Sequence, residues 1–293
     1  MRKNSDVLFH VVNYSLLTFM LLIIAYPVWF TIVASVSDPT FVNLGQVFIL
    51  PKGFTIEGYK KIMDFPEILT GYKNTLIYTF IGTCVNLVVL LPASFALARK
   101  ELPFRRFLMM FFVITMYFNG GVIPLYLQIR ALNLMDSMWA LILPGAFSVY
   151  NMIICRNFFS TSIPEELFES AKIDGCSYTQ FFISIVLPLS SSIIAVMVLF
   201  HALTHWNAYM PSLYYLRSPE KFPLQLVLRN FSAKLQQQTM DNSISAAGIS
   251  DARKLQEAVK YSVVVFASLP VLALYPFVQK YFVKGIMVGS VKG

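Results

Sequence analysis

The 293-residue sequence predicts an all-α membrane protein: one transmembrane domain over residues 1–293, six transmembrane helices, and a short charged helix between spans four and five. Three observations carry this. Hydrophobic residues make up 57% of the chain and charged residues 13%, about half the charged share of an ordinary soluble domain. The mean hydropathy is +0.64. Apolar runs recur at the length of about 20 residues that a bilayer core requires, and a polar interruption falls in the middle of the chain at Ser162 to Pro188, SIPEELFESAKIDGCSYTQFFISIVLP.

The first span is expected at 7–36. Its apolar run is about twice the length of a signal-peptide core, so it reads as an uncleaved helix. Ser37 to Gly71 is mixed and polar, with Asp38-Pro39 and Pro51-Lys52-Gly53, and reads as a structured outer loop carrying one short surface helix. The second span follows at 72–98. A tight turn dense in positive charge, Arg99-Lys100-Glu101-Leu102-Pro103-Phe104-Arg105-Arg106, leads into the third span at 107–128. That span contains Asn119-Gly120-Gly121 and Pro124, which predict a kinked or partly unwound outer half. The fourth is expected at 138–158 with Pro144-Gly145 inside it, the fifth at 181–206 and the sixth at 257–282. Asn207 to Leu255 forms a second large outer segment. Pro27, Pro124, Pro144 and Pro188 each remove a helix hydrogen bond, either as simple packing kinks or as hinges.

Six spans place both termini on one side. Positive residues divide almost evenly between the two sides, but the outer segments are longer. The four charges of the short Arg99–Arg106 turn therefore orient the chain with its termini in the cytoplasm. The net charge of +8 fits loop cations beside anionic membrane lipid. Nucleic-acid binding would need a basic stripe and a motif that are not there.

Between spans four and five, a helix is expected at about 163–174. Ser162 and Glu165 have capping-box spacing, and Pro164 suits a first turn. Glu165, Glu166 and Glu169 lie near the positive end of the dipole, and Gly175 stands where a left-handed C-terminal cap is wanted. A helix lying on lipid carries Lys and Arg on its polar face. This one carries Glu165, Glu166, Glu169 and Asp174 against Lys172 alone, which suits a basic groove on a protein.

Glu169-Ser170-Ala171, three residues, Gly175, nine residues and Ile185-Val186-Leu187-Pro188 resemble the EAA motif of bacterial ABC-importer permeases, with Ser170 as the one departure. Ala171-Lys172-Ile173-Asp174-Gly175 resembles the carbohydrate-uptake, maltose-importer-like branch, and so does the ending Gly285 to Gly293. The resemblance implies an inner-membrane permease subunit for sugar import. Its coupling helix would dock on a separate ATPase, through Glu165, Glu166, Leu167, Phe168, Glu169, Ser170, Ala171, Lys172, Asp174 and Gly175. Leu167, Phe168 and Ala171 would pack into the groove, and Glu169 and Asp174 would make polar contacts. Expected partners are a second permease in a heterodimer, two ATPase subunits carrying ATP and magnesium, and an extracytoplasmic binding protein. Asn119-Gly120-Gly121-Val122-Ile123-Pro124-Leu125-Tyr126 with Asn157-Phe158-Phe159 resembles permeases for long saccharides, such as the alginate and lipo-oligosaccharide importers.

No GxxxxGK[ST] phosphate loop occurs, so ATP chemistry is assigned to another polypeptide and the chain is read as a transport subunit without a cofactor of its own. An intramembrane enzyme would need HExxH, GxSxG or paired membrane carboxylates, and a secondary transporter would need membrane acids or repeats. These are the alternatives, and the sequence offers them little. Cys84, Cys155 and Cys176 fit no metal or disulfide pattern. His201 and His205 share one helical face at zinc-pair spacing but lack the glutamate of HExxH, so they read as lining a polar path or bonding neighbouring helices. With Asn86, Asn119, Tyr150, Asn151, Trp206, Asn207 and Tyr209 they are the candidates to meet a saccharide, since amide and aromatic groups recognise hydroxyls and sugar faces. Helix-to-helix hydrogen bonding is the competing role for each of them.

Overall fold

A computed structural model describes residues 2–241, 254, 256–273, 276 and 279. In chain order the helices are α1 (Arg2–Ser35), α2 (Pro39–Asn43), α3 (Glu57–Met63), α4 (Pro66–Ala98), α5 (Arg105–Tyr117), α6 (Val122–Ala131), α7 (Trp139–Ile142), α8 (Val149–Ser162) and α9 (Glu165–Ile173). Next, α10 (Tyr178–Phe181) runs through a π-helical turn at Phe182–Val186 into α11 (Leu187–Leu189). Then come α12 (Ser191–Trp206), α13 (Tyr209–Tyr215) and α14 (Leu224–Asp241), and residues 256–273 are helical. Among the described residues the one β contact is an isolated bridge, Ser37 to Phe54. The described residues are mostly helical, as an all-α membrane protein requires.

Two helices are long and apolar enough to cross a bilayer alone, Phe9–Ser35 and Pro66–Ala98. Three further pairs qualify if each bent pair is one span: α5 with α6 (108°), Trp139–Gly145 with α8 (51°), and Tyr178–Leu189 with α12 (83°). The breaks fall where the sequence supplies Asn119-Gly120-Gly121, Pro144-Gly145 and Pro188. The second helix starts at Pro66 rather than Tyr72, because proline is well placed in a first turn. The sixth expected span is described over 256–273. Apart from 276 and 279 its remainder, the tail from Lys284 to Gly293, and residues 242–253 and 255 lie outside the described residues.

The chain divides into two compact units. The first comprises Met1–Ile68 and Leu228–Leu269. Most of the apolar side chains of α1 are exposed there. Ser35 bonds Tyr59 (2.7 Å), and Ser262 Oγ donates to the Ser35 carbonyl (3.2 Å). Gly58 packs so closely on 258–262 that a β-carbon would lie 2.6 Å from the Ala258 carbonyl oxygen.

The second unit comprises Leu69–Val227 and Pro270–Gly293. Its core is built from Leu90, Phe95, Met152, Phe159, Phe168, Phe181, Val186 and Met197. A polar clasp joins two loops in this unit. Asp136 accepts from the Arg217 and Ser218 amides (2.9 and 3.0 Å), from Ser218 Oγ and from Lys221 Nζ (both 2.7 Å). These donors, the Lys221 ammonium first, hold the Asp136 carboxyl well below its usual 3.8. A depressed pKa adds stability above the unfolded value, and that stability is lost as pH falls through the folded one. Asp136→Ala is therefore expected to cost about 2 kcal/mol near neutral pH. The gap to the parent should persist down to about pH 4 and narrow below it. Thermal unfolding of both proteins across that range checks this, and a gap that does not change with pH would refute it.

Candidate functional site

The polar interruption folds as a short helix set against two neighbours. Pro164 is held extended (ψ 145°) and is the residue before the first turn of α9, while Ser162 is the last residue of α8. The expected Ser162–Glu165 capping box is therefore not made, and Pro164 precedes the first turn rather than joining it. The Glu165 carboxylate is engaged elsewhere: Lys100 Nζ lies 2.8 Å and Arg99 3.3 Å away. The bond from Lys100 holds the Glu165 carboxyl below the ordinary carboxylate range. At the far end Gly175 has φ +79°, the left-handed conformation that closes a helix at low cost. Ser170 Oγ donates back to the Glu166 carbonyl (2.9 Å), so the serine in the alanine position lies on the helix without disturbing it.

The Arg99–Glu101 turn straps this helix at both ends. The Arg99 guanidinium stacks 3.8 Å from the Phe168 ring centre, and its side chain is 11% exposed. Glu101 accepts from the Tyr178 hydroxyl at 2.6 Å, and Lys172 lies 4.0 Å away. Phe168 packs on Tyr178 and Phe181 at 5.1 Å. The inward face of α9 is thus Phe168 and Ala171, both buried, with Leu167 half-buried. This corrects the expectation that Phe168 and Ala171 enter a partner's groove, because the chain's own core holds them. The outward face is Glu166, Glu169, Ser170, Ile173 and Asp174, with Lys172 and Gly175 also exposed. Ile173 is 87% exposed, an unusual place for so large an apolar side chain.

The polar residues of the spans fall into two sets. Asn86 Nδ2 donates to the Gly145 carbonyl (2.6 Å), and His205 Nε2 donates to Asn86 Oδ1 (2.7 Å). Pro144 and Gly145 break the fourth span, which leaves that carbonyl free to accept. One turn along, Asn151 Nδ2 bonds His201 Nε2 (3.3 Å). All four side chains are buried, and their bonds join α4, α8 and α12. Trp206 is also buried, edge-on to Tyr72 with ring centres 5.9 Å apart.

The second set is open. Tyr150 is 61% exposed. Asn119 is exposed, with its Oδ1 accepting from the Gly121 amide (2.9 Å). Tyr117 and Phe118, which sequence reasoning did not single out, are exposed at the same break. Asn207 is exposed and bonds the Leu203 carbonyl, and Tyr209 is half-buried. Lys221 is bound to Asp136, while Arg130 and Arg217 are exposed.

Residues 68–288 match the family described as binding-protein-dependent transport system inner membrane component. The polygalacturonan/rhamnogalacturonan transport system permease protein YtcP of Bacillus subtilis (strain 168) is 39% identical, over 98% of this chain and 99% of the relative. Protein LplC of the same organism is 39% identical over 91% of this chain and 89% of its own. A crystal structure of a bacterial ABC transporter involved in the import of the acidic polysaccharide alginate matches with a TM-score of 0.79. The two are 31% identical, and the match covers 95% of this chain and 98% of that one.

Proposed function

The chain belongs to the binding-protein-dependent transport system inner membrane components, as a permease of the carbohydrate ABC-importer type, and from that premise we propose that it forms half of the path for an acidic oligo- or polysaccharide. One observation carries the substrate class. A relative matched end to end is named for polygalacturonan and rhamnogalacturonan, and the structural neighbour is described by alginate. Exposed Arg130 and Arg217 agree with an anionic solute, and exposed Tyr117, Phe118 and Tyr150 supply faces on which sugar rings stack.

In this reading six spans cross the bacterial cytoplasmic membrane with both termini inside, and α9 is the coupling helix. Its outward face, Glu166, Glu169, Ser170, Ile173 and Asp174, meets an ATPase that carries ATP and magnesium. Ile173 takes the apolar role expected of Phe168 and Ala171. A second permease completes the path, and a soluble binding protein delivers the saccharide from outside.

The test is to co-express the chain with its chromosomal neighbours, purify through a tag after Gly293 and reconstitute the assembly. The expected result is co-purification of an ATPase and a second permease. ATP hydrolysis should rise severalfold with binding protein loaded with oligogalacturonate or oligoalginate, and stay flat with a neutral maltooligosaccharide. Gly175→Trp should loosen the ATPase. Equal stimulation by the neutral sugar removes the acidic assignment. A chain that purifies alone and transports without ATP reopens the secondary-transporter alternative.

A further inference from the structure

Where α4 ends and α5 begins, three arginines gather with no acid between them. Arg105 and Arg106 open α5, and Arg156 comes from α8. Arg105 Nε (2.9 Å) and Arg156 Nε (3.1 Å) donate to the same acceptor, the Leu97 carbonyl near the end of α4. Sharing one oxygen brings the two half-buried guanidiniums side by side. Arg156 also reaches Asn157 Oδ1 (3.1 Å), but none of the three has a carboxylate partner among the described residues. With Met109 they line a cavity of 390 Å³.

Helix capping explains only part of this. Two Nε groups satisfy one carbonyl, and among the described residues no carboxylate comes within ion-pair distance of the three guanidiniums. Two of the cations also sit in the first turn of α5, the wrong end of its dipole, and Phe104 supplies no side-chain cap for that turn's amides. Clustered guanidiniums, uncapped amides and a cavity suit a tetrahedral oxyanion, which accepts paired arginine bonds from several sides. The surroundings name its source. Phe104 is 81% exposed and Phe107 61%, and Met110 follows along the same helix. A phosphate at this rim has apolar surface running from it into the span.

We propose that Arg105, Arg106 and Arg156 bind the phosphate of an anionic phospholipid whose acyl chains lie along Phe107 and Met110. The site is independent of which saccharide is carried. The assembled transporter, purified in detergent with equal phosphatidylglycerol and phosphatidylcholine, is examined by native mass spectrometry for retained lipid.

The parent is expected to retain phosphatidylglycerol over phosphatidylcholine. Arg106→Glu should cut that preference about tenfold. Arg106 is exposed and has no side-chain hydrogen bond or ion pair among the described residues, so this variant tests the site without removing a helix cap. Arg105→Gln/Arg156→Gln should lose the preference as well. An undiminished preference in Arg106→Glu overturns the proposal. Stabilisation by inorganic phosphate alone, as strong as by phosphatidylglycerol, overturns the lipid as the source. A preference that appears only after the ATPase subunits are stripped gives the arginines to that partner and overturns it too.

Discussion

Arg99→Ala is expected to leave the transporter assembled in the membrane while breaking the tie between ATP hydrolysis and transport. The reason is what Arg99 touches. Its guanidinium lies 3.8 Å over Phe168, the buried centre of the inward face of α9, and 3.3 Å from Glu165 at the start of that helix. A desolvated cation–π contact contributes about 2 kcal/mol, and a hydrogen bond to a charged group about 1.5–3. Glu165 keeps Lys100, so part of the second term survives. A net loss of about 3 kcal/mol from the attachment of α9 shifts its held-to-loose ratio by roughly a hundredfold. Saccharide moved per ATP should then fall steeply, with basal hydrolysis retained. Arg99→Lys keeps the charge without the flat stacking surface and should fall between the two. Hydrogen exchange over 163–176 gives the independent reading. If exchange and the transport-to-hydrolysis ratio are both unchanged, Arg99 does not hold the helix.

Gly82→Ala should be the most damaging of the Gly→Ala changes among the described glycines of the second unit. A β-carbon at Gly82 would lie 2.5 Å from His205 Nε2 and 2.6 Å from Cε1, so the ring must move. His205 then leaves Asn86, whose own amide holds the Gly145 carbonyl at the break in the fourth span. Overpacking costs about 1–3 kcal/mol, and a stranded buried amide about 1–3 more. The purified assembly should lose about 4 kcal/mol of stability in a thermal or denaturant assay. Gly82→Ala/His205→Ala should recover part of it, because the smaller side chain removes the clash. Wild-type stability in Gly82→Ala would mean that the ring has room the structure does not show.

The apolar runs, the breaks and the short acidic helix are all legible in the sequence because each is a local pattern. Hydropathy marks the runs, Gly and Pro mark the breaks, and charge with Gly175 marks the helix and its end. What α9 packs against is not local. Arg99 reads as one of four cations that orient a loop, and nothing nearby in sequence says that it meets Glu165 and Phe168. The same blindness places Phe168 and Ala171 on a partner, because an amphipathic helix shows that it has an apolar face but not which protein covers it. The four buried polar residues of the spans are recognisable as polar at depth. Their pairing, Asn86 with His205 and Asn151 with His201, depends on how three helices are brought together. Ser162 shows a local rule overruled by its neighbour, since extended Pro164 takes the position the cap would need.

Between α5 and α6 the backbone turns through 108° around Asn119-Gly120-Gly121. The last carbonyls of one helix and the first amides of the next are left without helical partners, and hydrocarbon cannot serve them. Asn119 answers for the Gly121 amide alone. The remainder call for water or for polar groups of a neighbouring chain, and in the function proposed above that puts a polar notch in the wall of the path. On that proposal a glycan arriving there would exchange partners like for like, its hydroxyls taking over bonds that water makes in its absence.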